Sequence, residues 1–223
     1  MLVSACVFGG ERAVGGDDQL VPIDPTIGMP VKDYRPLVQR KLRLQPRTSA
    51  RMLYLPFADG EAAVSVYAMK RASEDRTEFY VEYTKAEKNV WARRMEGRVT
   101  TADPGASAAS IRVTQLKAPL PAPTAHAVHD AWVSMLLPNR IVQPAAESRI
   151  ILDGSETEFF VDDGMHTLQG ALPVPRATGD ALEMLRIGQM LINYCEADPP
   201  HRGILATEIQ RKSQQLVARA PRQ

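Results

Sequence analysis

His126, His129 and Asp130 form the tightest group of metal-capable side chains in the chain. A His-x-x-His pair on a helix sets both rings within one turn, where a third ligand would close a zinc site. Only His166 and His201 remain elsewhere, and no Glu or Cys falls at a ligand spacing. His126 sits about 100° around the helix from the apolar arc, and His129 only flanks it. The pair therefore reads as surface histidines beside a packed Trp132, and no metal is expected. A second group is acidic. Asp153, Glu156, Glu158, Asp162 and Asp163 follow one another with no basic residue between them. The spacing is not that of an EF-hand, and sugar hydrolysis needs two carboxylates across a cleft of set width. The acidic run is instead expected to be the solvated face of a hairpin, and these five residues are the candidates for binding a basic partner. There is no Gly-x-Ser-x-Gly elbow, no Ser-x-x-Lys, no Walker loop and no dinucleotide fingerprint. No catalytic residue and no cofactor-binding residue is assigned.

The two cysteines differ. Cys195 falls on a stripe with Ala181, Met184, Leu185, Gly188, Leu191 and Ile192, whose steps of three and four place its thiol in a core. Cys6 closes the stretch Val3-Ser4-Ala5-Cys6, ahead of a run holding Gly9, Gly10, Gly15, Gly16, Asp17 and Asp18. That stretch resembles the lipobox of bacterial lipoproteins, an aliphatic residue and two small ones before the Cys that is acylated. The resemblance implies lipid attachment at Cys6 and a body held on a membrane outside the cytoplasm. With Val7 rather than Asp after the Cys, it implies the outer membrane of the periplasm more than the inner. The chain departs from the full pattern, since only Met1 and Leu2 precede the box where a signal peptide carries a charged start and an apolar stretch. Residues 1–5 are read as a remnant of that signal.

The elements that must hold these groups follow from pattern and punctuation. The length of 223 residues, 44% hydrophobic and 24% charged, is that of an ordinary globular chain. With 27 basic and 26 acidic residues, the net charge of +1 argues against a dedicated nucleic-acid binder. No apolar run is long enough for a spanning helix. Residues 6–47 hold five prolines and no sustained periodicity, so they read as a flexible tether. Seven of the residues from Lys32 to Arg51 are basic against the single acid Asp33, a stretch suited to anionic headgroups or to acids elsewhere in the fold.

Strands are expected at 52–57, 62–70 and 78–84, with weaker ones at 90–100 and 110–115. Lys117 to Pro123 then bars helix and central strand alike. A helix capped by Thr124 follows and stops at Pro138. Strands at 149–152, 156–161 and 165–172, with turns at Asp153-Gly154 and Asp162-Asp163-Gly164, precede a helix from Asp180 to Tyr194. Asp198-Pro199-Pro200 is a break, and 203–219 a last helix. The order predicts an α+β fold, antiparallel meanders with two or three packed helices, in one domain over 48–220 that divides near 117–123 if it has two lobes.

Lipobox, tether and compact body together resemble, in layout, the small lipoproteins that bacteria make as immunity partners to envelope-attacking toxins. The resemblance implies a non-enzymatic protein-binding module in the periplasm whose partner is a secreted toxin, with no cofactor, nucleic acid or small-molecule substrate. An envelope assembly or stress lipoprotein is the alternative. A hydrolase with a pocket holding His126 or His129 and carboxylates is the second.

Overall fold

The computed structural model describes residues 20, 34–45, 48–56, 58–70, 77–93, 110–140, 155–174 and 179–220. Among these residues six strands make one antiparallel sheet: β1 (Ala50–Leu55), β2 (Ala62–Lys70), β3 (Thr77–Ala86), β4 (Val113–Leu120), β5 (Ser155–Asp162) and β6 (Thr167–Val174). The spatial order is β4-β3-β2-β1-β5-β6. The first four strands form a meander, and the later hairpin adds to its open side through β1 and β5. The fold is α+β with antiparallel strands, and strands from both halves of the chain share this one sheet. Among the described residues four longer α-helices accompany it: α1 (Tyr34–Lys41), α2 (Ala122–Leu136), α3 (Gly179–Glu196) and α4 (Pro199–Arg219).

The period-2 alternation decides which face each strand residue meets. Met52, Val64, Val66, Val81, Ala118, Phe159 and Val161 point to the face that α2, α3 and α4 cover, and together they form the larger core. Trp132 of α2 is fully buried there, edge-on to Phe159 at 5.8 Å. Its indole nitrogen donates through the sheet to the carbonyl of Arg51, at 3.3 Å. Gly188 lets α3 lie against β1, because a Cβ there would stand 2.2 Å from the Met52 sulfur. Cys195 lies in this core as its stripe predicts, and burial pushes its thiol up to about 12.

The opposite face has a smaller core, in which Tyr34, Val38 and Leu42 of the α1 region pack on Leu53, Leu55, Ala63 and Ala86. Glu61 is fully buried at its centre. Its carboxylate accepts from the Tyr34 hydroxyl at 2.6 Å and from the backbone N–H of Val90 at 2.8 Å. It thereby caps the short helical turn 90–93 and ties α1 to it.

Several expectations are corrected. The stretch 6–47 is not a tether throughout: Leu20 is buried in the larger core, and Tyr34–Lys41 is a helix seated on the sheet. With eight residues, Pro36 among them, its apolar face spans only two turns, too short for periodicity to reveal. Residues 90–93 are helical rather than extended: Asn89 Oδ1 caps them locally, accepting from the Ala92 N–H at 2.8 Å, and Glu61, distant in sequence, accepts from the Val90 N–H. The Pro-rich joint is not a break. Lys117–Leu120 continue β4, where Pro119 is tolerated because β4 is an edge strand, and Pro121 precedes α2 directly. Thr124 thus lies inside α2 and its hydroxyl donates to the Ala206 carbonyl instead of capping. Asp198 is likewise the N-cap of α4, with Pro199 and Pro200 in its first turn.

Candidate binding groove

The acidic hairpin does not form an exposed acidic face. Glu156 and Glu158 project from β5 to the same side as Leu55 and Leu53, beneath α1. Glu158 is fully buried and receives the Arg35 guanidinium Nε, while Arg35 Nη2 donates to Glu156 at 3.0 Å. Burial raises the proton affinity of Glu158 more than Arg35 lowers it, and the neighbouring Glu156 raises it further. The two carboxylates therefore fasten α1 to the sheet and are lost to any partner. Asp162 and Asp163 are half-buried and fold back on the β5–β6 turn, accepting from the N–H of Gly164 and from those of Met165 and His166. Asp153 and Cys6 lie outside the described residues.

The histidines do not converge. His126 is exposed and stands edge-on to Phe79 at 4.9 Å. His129 lies between the Asp130 carboxylate at 3.2 Å and the Asp162 carbonyl at 3.1 Å. Among the described residues no three His, Cys, Asp or Glu side chains gather to hold a metal ion, and no helix is long and apolar enough to cross a membrane.

A concavity of about 560 Å³ lies on the α1 face of the sheet, walled by α1 and by the turn-proximal ends of β5 and β6. Its side chains include Gln39, Arg40 and Arg43 from the helix side, Arg51 from β1, and Asp162 and Gln169 from the hairpin. Arg51 is only 8% exposed. Its Nε donates to Ser65 Oγ at 3.0 Å and its Nη2 to the Gln45 carbonyl. Its Nη1 has no hydrogen-bond partner among the described residues. Burial pushes this guanidinium down to about 10, with Glu82 opposing the shift, so the group stays charged at neutral pH. Glu82 stands across β2 in the same row, beyond Ser65, and accepts from Gln115.

Arg40 and Arg43 are exposed at the rim, neither paired with a carboxylate among the described residues. Arg43 has a φ of +53°. It occupies the left-handed position that ends α1, with Arg43 N–H donating to Arg40 O at 3.1 Å and Leu44 N–H to Gln39 O at 3.0 Å. Glycine is the usual residue there because a Cβ costs about 1 kcal/mol or more. An arginine thus stands where the backbone favours none. Asp162 is the one carboxylate among the described lining residues.

Sequence reading missed this site because its cations come from two different elements. The excess of basic residues from Lys32 to Arg51 is its only trace. Nothing in that stretch separates Arg35, spent on Glu156 and Glu158, from Arg40, Arg43 and Arg51, which share a cavity.

No protein-family model matches the chain, no curated protein matches it, and no solved structure matches its fold.

Proposed function

We propose that this protein is a non-enzymatic docking module of the bacterial envelope, tethered to the membrane through an acylated Cys6 and holding a protein partner in the groove beside α1. The observation that carries the docking reading is the groove itself, an open concavity with a buried, incompletely satisfied Arg51 at its floor. Concave polar surfaces with a few convergent charged groups are how proteins fix a partner's orientation. Four titratable groups are engaged in structure: Glu61 in capping, Glu156 and Glu158 with Arg35, and His129 against the β5–β6 turn. The lipobox-like stretch supports the tether, and the immunity-protein layout supports a secreted toxin as partner. An assembly partner in the envelope would use the same surface.

Two measurements test this reading. Expressed from its full gene, the wild type should fractionate with membranes, and Cys6→Ser should release a folded body of unchanged melting temperature. A wild type found wholly soluble contradicts the anchor. A photo-crosslinking residue at Gln39 in the groove wall should give a protein adduct in its native host that the same residue at Gln214, exposed on α4, does not. Equal labelling from both positions contradicts the groove.

A further inference from the structure

The docking reading leaves open what the partner presents, and the groove's charge answers it. We propose that the groove between α1 and the β5–β6 hairpin recognises an acidic peptide segment, with one carboxylate seated on Arg51 and neighbouring ones held by Arg40 and Arg43. This rests on the docking reading above. It also reverses the sign of partner that the sequence suggests, since the acidic run implies a basic one.

Three observations carry it independently. Arg51 is more than nine-tenths buried, and its two described hydrogen bonds go to neutral oxygens, Ser65 Oγ and the Gln45 carbonyl. Glu82, across Ser65, is the carboxylate that acts on this guanidinium, but no hydrogen bond joins the two among the described residues; Nη1 is left open to the groove, and a carboxylate is the planar group that its fork fits. The rim adds Arg40 and Arg43 against Asp162 alone, so the cavity has a cationic excess on a protein of near-zero net charge. Finally, Arg43 keeps a long charged side chain at a left-handed backbone position, a strained choice that local stability disfavours and that ligand binding would explain. The volume of about 560 Å³ exceeds what one carboxylate group needs, and the groove is open at its rim, which suits a stretch of chain.

Fluorescence anisotropy of a labelled hexaglutamate peptide on the full chain tests the proposal. Binding is expected, weakening steeply as salt rises, with hexalysine failing to bind. Arg51→Gln should weaken binding about thirtyfold, as loss of a desolvated charge pair does. Because Arg51 also braces Ser65 and Gln45, the exposed pair Arg40→Glu with Arg43→Glu provides a second variant that leaves the core untouched. It should weaken binding about tenfold or more, mainly by slowing association. Absence of hexaglutamate binding, or binding unchanged in the double variant, overturns the proposal. So does Arg51-dependent binding of phosphatidylglycerol vesicles or inorganic phosphate in its place. Should hexaglutamate fail while the Gln39 crosslink persists, the acidic segment is wrong and the docking module stands. Loss of the crosslink with hexaglutamate binding intact would remove the protein partner and keep the anion site.

Discussion

The two faces of the sheet are stabilised by different means. On the face under α2, α3 and α4 the strands present Val64, Val66, Val81, Phe159 and Val161, and the helices answer with Trp132, Met184, Ile187 and Leu191. Apolar area removed from water is the larger contribution there, with single bonds from Trp132 to the Arg51 carbonyl and from the Tyr194 hydroxyl to the Pro119 carbonyl added to it. On the face under α1 the buried charges gather: Arg51, Glu61, Glu82 and Glu158. Each costs free energy to bury, and Glu61, Glu82 and Glu158 each accept from a specific donor, so position on this face is set by directional contacts. A face held mainly by area can change residues without losing its shape. A face held by paired charges fixes a short helix to one place and leaves one cation, Arg51, incompletely answered.

The largest effect should come from the apolar face. Trp132→Ala should cost about 3–5 kcal/mol in denaturant unfolding, the usual loss for an emptied aromatic site. Trp132→Phe keeps most of the volume and should lose only the bond to the Arg51 carbonyl, about 1 kcal/mol. If both variants lose the same amount, the area argument for this face fails.

On the other face, Glu61→Gln should cost about 2–3 kcal/mol, because a charge-assisted cap becomes neutral and a buried amide N–H is added beside other donors. The loss should be local. Hydrogen exchange should accelerate in α1 and in 90–93 while the β2–β3 pairing under the three helices keeps its protection. Uniform acceleration would mean that the two faces are not distinguishable in this way.

Glu158 gives this face a pH dependence. Its folded value, raised by burial to about 7, lies above the ordinary 4.5. The folded protein therefore retains a proton that the unfolded chain has already released. Its contribution is fully present below about pH 4.5 and is lost as pH rises towards 7. The total is on the order of 3 kcal/mol. Glu158→Gln should remove that slope, with melting temperatures of variant and wild type converging at low pH and the variant higher near neutrality. A variant less stable than wild type at pH 7 would show that the ion pair with Arg35 outweighs burial.

The smallest effect sharpens the contrast most. Arg43→Gly relieves a left-handed residue and should stabilise the protein by about 0.5–1 kcal/mol, while lowering affinity for an acidic peptide. A gain in stability with no loss of binding would leave the strain at Arg43 without a function.

Much of the apolar face was legible in the sequence. The alternations of 62–70 and 78–84, the Asp162-Asp163-Gly164 turn and the stripe through Cys195 all rest on local periodicity, and local periodicity survives in the fold. The charged face was not legible, because its logic is long-range. Glu61 caps a turn 29 residues away, and Arg35 meets Glu158 across 123 residues. A lone acidic run looks solvated until the helix that covers it is known. The prolines misled for a related reason: position in the sheet decides their cost, and Pro119 sits on an edge strand while Pro121, Pro199 and Pro200 stand at helix starts.

The most direct test of the account is to map hexaglutamate onto the isotopically labelled full chain by amide chemical shifts. The predicted result is a perturbed patch confined to Gln39, Arg40, Arg43, Arg51, Thr167 and Gln169, with α3 and α4 silent. Shifts centred on the outer surface of α4, or on the β4 edge, would contradict it.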